Sequence, residues 1–96
     1  MTINDLLKEK REEILRIAEH HGAYNVRIFG SAARGKERAG SDIDLLVKAG
    51  PNTSSWFPVG LIQELEELLG RKVDVVTEDG IYWLLRRRIL KEAKPL

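Results

Sequence analysis

The run Ser41-Asp42-Ile43-Asp44-Leu45-Leu46-Val47 constrains the fold more than any other stretch of the chain. Its apolar, β-branched character predicts a strand over 42–47. In a strand, residues i and i+2 point to the same side, so Asp42 and Asp44 project together while Ile43 and Leu45 face the other way. Asp is poorly suited to strands, and two of them opening an otherwise apolar one need a reason. Two ionised carboxylates side by side repel, and without a counter-charge one pKa must rise. A divalent cation removes that penalty, and oxygen ligands select magnesium or manganese over zinc. The plainer alternative is that Asp42 ends a loop and Asp44 pairs with a nearby arginine.

Around this strand the pattern alternates between helical and extended segments. Leu7, Ile14, Leu15, Ile17 and Ala18 share a broad face, which predicts an amphipathic helix over 5–21 closed by Gly22. Residues 25–29 read as a short strand broken by Gly30-Ser31. Ala32-Ala33-Arg34 then suggests a helical turn ending at Gly35, with a loop over 36–41. Leu61, Ile62, Leu65, Leu68 and Leu69 predict a helix over 58–69, with Pro58 in its first turn and Gly70 at its stop. Val73 to Thr77 is a third strand. A last helix is expected over 81–93, with Asp79 as a possible cap and Pro95 as a stop. The order is that of a single α/β domain, residues 1–96, built on a small three-stranded mixed sheet flanked by helices.

Two further features lie at strand ends. In Phe29-Gly30-Ser31-Ala32-Ala33-Arg34-Gly35, glycine permits close backbone approach, and a serine opening a helical turn offers a hydroxyl beside free N–H groups. That is a serviceable phosphate cradle, although strand-turn-helix junctions use Gly-Ser for geometry alone. Arg34 follows it, placed either to touch phosphate or to brace Asp42 and Asp44 in an ion pair. In Lys72-Val73-Asp74-Val75-Val76-Thr77, Asp74 stands near the start of a strand, where a third carboxylate completes a metal site or takes a proton from an attacking hydroxyl.

Sixteen basic and fifteen acidic residues leave a net charge of +1, so binding of nucleic acid or membrane through overall charge is not indicated. The absence of cysteine excludes disulfides and thiolate zinc sites. No apolar stretch approaches the ~20 residues needed to span a bilayer, and a cytoplasmic location is expected. His20 and His21 point about 100° apart on a helix, a poor joint metal site, and read as helix-end residues. Arg86-Arg87-Arg88 reads as a solvated helix face. Trp56, Phe57, Tyr82 and Trp83 read first as core, with a partner surface as the competing assignment.

Gly30-Ser31, then Asp42-Ile43-Asp44, with Asp74 on a later strand, resembles the nucleotidyltransferase superfamily that includes DNA polymerase beta, and above all its minimal prokaryotic (MNT) members. Phe-Gly-Ser-x-Ala-Arg-Gly, Ser-Asp-Ile-Asp-Leu-Leu-Val and Val-Asp-Val-Val-Thr stand here in the family's form, and the closing Leu-Arg-Arg-Arg-Ile-Leu-Lys-Glu-Ala is similar to its C-terminal helix. The resemblance implies a polymerase-beta-like palm in which Gly30 and Ser31 contact the triphosphate, with Arg34 the further candidate for that contact. It implies that Asp42, Asp44 and Asp74 bind Mg²⁺ and carry catalysis. Ala32 is a departure, standing where these proteins often carry a larger polar or basic residue. Minimal members commonly pair with a HEPN-domain protein, and several act as antitoxins that transfer AMP from ATP to its tyrosine. The rival expectation is a non-catalytic nucleotide-binding module that masks a partner by direct contact.

Overall fold

The computed structural model describes residues 3–33, 42–53 and 56–96. Helices α1 (Ile3–Glu9) and α2 (Arg11–His20) lead into β1 (Ala23–Phe29) and the short helix α3 (Gly30–Ala33). Then come β2 (Ile43–Ala49), α4 (Val59–Leu69), β3 (Val73–Thr77), a 3-10 turn (Glu78–Gly80), α5 (Trp83–Glu92) and β4 (Lys94–Pro95). The helix expected over 5–21 is thus two. Hydrogen bonds from the Lys10 N–H to the Leu6 carbonyl and from the Ile14 N–H to the Lys10 carbonyl still carry across the kink. The helical turn expected at Ala32-Ala33-Arg34 is met as far as Ala33 by α3, while its end and the loop expected over 36–41 lie outside the described residues.

The described sheet has four strands in the order β3-β2-β1-β4, rather than the expected three. The addition is β4, which pairs antiparallel with Arg27 and Ile28. Pro95 reads in sequence as a helix stop, yet an edge strand accommodates proline, because one side of its backbone has no ladder to complete. β1 and β2 run antiparallel, whereas β2 and β3 run parallel, as a crossover through α4 permits. Gly70 ends α4 in the left-handed region at φ 65° and donates its N–H to the Glu66 carbonyl.

Strand alternation sorts the side chains onto two faces. Val26 and Ile28 of β1, Ile43, Leu45 and Val47 of β2, and Val73 and Val75 of β3 pack with Ile3, Leu7, Ile14, Ala18, Leu61, Leu65 and Leu69 from α1, α2 and α4. Each fully buried leucine or isoleucine contributes about 1.5–3 kcal/mol, so this is where folding free energy concentrates. His21 adds a polar tie on this side: its Nε2 lies 2.9 Å from Oε1 of Glu64, joining the end of α2 to α4. The sequence reading of a helix-end histidine missed that partner, which is 43 residues away. No described helix is long and apolar enough to cross a membrane.

The opposite face has a different character. Between Tyr24 and Arg27 the register slips by one residue, a bulge in which Asn25 takes φ 52°, a conformation asparagine tolerates. Beyond the bulge Arg27 meets Glu78 at 3.2 Å, and Lys48 approaches the same carboxylate at 3.6 Å. Arg86 donates to the Glu78 carbonyl and fastens the start of α5 to the 3-10 turn.

Three of the four aromatics first read as core are not. Phe57 packs against the core, but Trp56 is 78% exposed, Trp83 73% and Tyr82 59%. α5 has no buried residue, and Leu84 and Leu85 stand exposed beside Trp83.

The Arg27 hydrogen bond to Glu78, aided by the charges of Arg27 and Lys48, holds that carboxyl below its ordinary value of 4.5. A folded pKa below the unfolded one gives stability that is complete above about pH 4.5 and is lost as pH falls through the folded value. Glu78→Gln should therefore melt below the wild type at about pH 7. In calorimetric scans the gap should narrow as pH falls below 4.5 and through the lowered folded value.

Candidate active site

Three strand ends converge on one edge of the polar face. β1 delivers Phe29 opposite Asp44 in an antiparallel pair, and β3 delivers Asp74 opposite Asp44 in a parallel one. Residues paired in register point to the same side of a sheet, so Asp44 and Asp74 share a face. Asp42 precedes β2, which begins at Ile43 rather than at Asp42 as the sequence suggested. Asp42 and Asp74 are exposed and Asp44 is half-buried. The start of β2 is held by the Ile43 N–H, which donates to the Lys72 carbonyl at 2.9 Å.

Gly30 follows Phe29 at φ 75°, a conformation that L side chains rarely adopt. A Cβ there would lie 3.2 Å from Cγ of Asp44 and nearer still to Oδ2. The missing side chain is therefore the space in which the Asp44 carboxylate sits. Sequence reasoning gave Gly30 a role in admitting phosphate. Its role in seating an aspartate fourteen positions later becomes visible only once β1 and β2 pair.

The other expected site residues are less fully described. The Ser31 backbone lies in α3, while its hydroxyl, and Arg34 altogether, lie outside the described residues. Among the described residues no three His, Asp or Glu side chains come together as a closed metal-binding group. An open pair or trio of hard oxygen donors still fits magnesium, which binds through one or two carboxylates and keeps water and substrate phosphate as its other ligands.

At the far end of the same sheet Tyr24, Lys48, Ala49, Glu78, Asp79 and Arg86 line a polar cleft of about 310 Å³. It is occupied by its own ion pairs and contains none of the three aspartates.

Gly30→Ala and Gly70→Ala separate backbone strain from the carboxylate clash. Both glycines have positive φ, but nothing lies within 4 Å of a Cβ at Gly70. Gly70→Ala should cost about 1 kcal/mol, the backbone penalty alone. Gly30→Ala should cost distinctly more in urea denaturation and should shift the Asp44 side-chain resonances in NMR spectra.

The sequence matches the family described as "Nucleotidyltransferase domain" over residues 7–96. MJ0435 of Methanocaldococcus jannaschii, provisionally named a protein adenylyltransferase, is 44% identical over 93 residues, covering 97% of this chain and 96% of its own. The protein adenylyltransferase MntA of Thermococcus cleftensis is 30% identical over 90 residues, covering 94% of this chain and 88% of its own. A solved structure provisionally described as a minimal nucleotidyltransferase superposes with a TM-score of 0.85 at 43% identity, over 96% of this chain and 94% of that one. A toxin-antitoxin crystal structure with AMP-PNP shares the fold, with a TM-score of 0.75 at 23% identity over 88% of this chain and 69% of that one.

Proposed function

Since this chain belongs to the nucleotidyltransferase-domain family, we propose that it moves AMP from ATP, with magnesium, to a tyrosine hydroxyl of a HEPN-type partner whose toxicity it curbs. The observation that carries this reading is the in-register pairing of Asp44 with Asp74, with Asp42 two residues upstream and Gly30 against the Asp44 carboxylate. The adenylyltransferase names of relatives and the toxin-antitoxin assemblies among the structural neighbours support the transferred group and the partner.

Asp42 and Asp44 would hold the magnesium, with Asp74 adding the third carboxylate of the site. When bound, the metal supplies positive charge against the triphosphate and lowers the pKa of an attacking hydroxyl. Gly30 and Ser31 would receive the phosphates on their backbone N–H groups, and Arg34 would add its charge to them. The acceptor oxygen forms a bond to the α-phosphorus as the bond to the bridging oxygen of pyrophosphate breaks, in line. The acceptor's proton would pass to a carboxylate oxygen of Asp74 and from there to water. With only two or three protein ligands, Mg²⁺ should bind weakly alone and more tightly with ATP, which titration calorimetry would show.

Asp44→Asn keeps the side-chain shape and removes the charge, so nucleotide transfer should be abolished while the thermal transition stays close to wild type. Label transfer from α-labelled ATP reads the first and circular dichroism the second. Transfer at the wild-type rate would overturn the mechanism. In the non-catalytic alternative, the variant would still silence its partner in cells.

The partner is expected on α5. A ten-residue helix with no buried side chain is marginal by itself in water. Its exposed Trp83 and Leu84 are followed by Arg87, Arg88 and Lys91 on the same outward side, which suits a protein face carrying an apolar pocket beside acidic groups. Trp83→Ala with Leu84→Ala should weaken the purified complex by about 30-fold, equivalent to about 2 kcal/mol, in titration calorimetry. The melting of the isolated chain should hardly change, because both side chains are exposed.

A further inference from the structure

Glu66 lies on α4, outside the carboxylate cluster, yet it is bonded to the first residue of the strand that carries Asp74. β3 is an end strand of the sheet, with β2 on one side. Because the Ile43 N–H bonds the Lys72 carbonyl and Ile43 pairs with Val73, the Val73 N–H points away from β2. On an edge strand such a donor ordinarily faces water. Here it donates instead to Oε2 of Glu66 at 3.1 Å. The backbone carbonyl of Glu66 also accepts the Gly70 N–H at 2.8 Å. One residue thus holds both the end of the helix and the start of the strand, across the turn Gly70-Arg71-Lys72.

Asp74 is the next residue after the one held. Its side chain is exposed and, among the described residues, forms no hydrogen bond or ion pair. Its place beside Asp44 therefore comes from its backbone. A charge-assisted hydrogen bond to the preceding peptide is the means on the outer side, as the Ile43–Lys72 bond is on the inner side. We propose that Glu66 is a positioning residue for nucleotide transfer, acting through the Val73 peptide to keep Asp74 opposite Asp44. This rests on the reading that Asp74 takes part in the reaction.

The test compares Glu66→Ala, Glu66→Gln, Asp74→Asn and the double variant Glu66→Ala/Asp74→Asn. Two measurements are made: pyrophosphate release from ATP with magnesium in the complex with the acceptor partner, and amide hydrogen exchange on the metal-free protein. Glu66→Ala should lower kcat by about tenfold with little change in KM for ATP, and Glu66→Gln, which keeps an acceptor oxygen, should recover most of it. In the Asp74→Asn background, removing Glu66 should cost no further activity, because the residue it positions is already disabled. Exchange at Val73 and Asp74 should quicken in Glu66→Ala while β1 amides keep their protection. Equal losses from Glu66→Ala in both backgrounds would overturn the proposal and leave Glu66 a structural residue only. Unchanged exchange at Val73 and Asp74 would overturn the hold itself. Full activity in Asp74→Asn would instead overturn the reading of the site, and the exchange data distinguish that failure from the others.

Discussion

The register of β2 between its two neighbours is the constraint on which the rest of the structure depends. Ile43, Leu45 and Val47 are buried on one side, Asp44 and Lys48 stand on the other, and a slip by one residue would exchange the two sets. That would place a carboxylate in an apolar core and strip three large side chains from it. The burial that stabilises the fold thus also fixes which way Asp44 faces. The antiparallel neighbour brings Gly30 to Asp44, and the parallel one brings Asp74.

The polar face is divided along its length. At one end stand Asp42, Asp44 and Asp74; at the other, Arg27 and Lys48 both pair with Glu78. Leu46 lies between them in the strand alternation and is fully buried. The Asn25 bulge belongs to this division, since it sets the register that places Arg27 opposite Leu46, two residues from Lys48.

What could be read from the sequence was what is encoded locally. The alternation of Ile43–Val47, the leucines of α4 and the run Val73–Thr77 carry their periodicity within a few residues, and β3 has the bounds its pattern predicts. Features that depend on residues far apart were not legible. Nothing near Gly30 announces Asp44, nothing near Glu66 announces the Val73 N–H, and no periodicity marks two residues ending in proline as a strand. The aromatics failed for another reason. Apolar character does not distinguish a side chain awaiting a core from one awaiting a partner, and Phe57 and Trp56, adjacent in sequence, went opposite ways. Of the candidate site, the strands that carry Asp44 and Asp74 were legible, while their pairing in register and the space that Gly30 leaves for Asp44 were not.

α5 is a span tethered at both ends. Its first turn is fastened through Arg86 to the Glu78 carbonyl, and the chain just beyond its last turn is hydrogen-bonded to β1 as β4. At its outer end the Leu96 N–H reaches the Val26 carbonyl, and Arg11 donates to the Leu96 carbonyl. Fixing the ends of a segment removes much of the freedom it would otherwise have when its helix opens, so a helix with no fully buried side chain can still keep its shape. A docking protein would then meet a surface already in its bound form. Little of the binding free energy would go into ordering it, and a modest contact area could hold a stable complex.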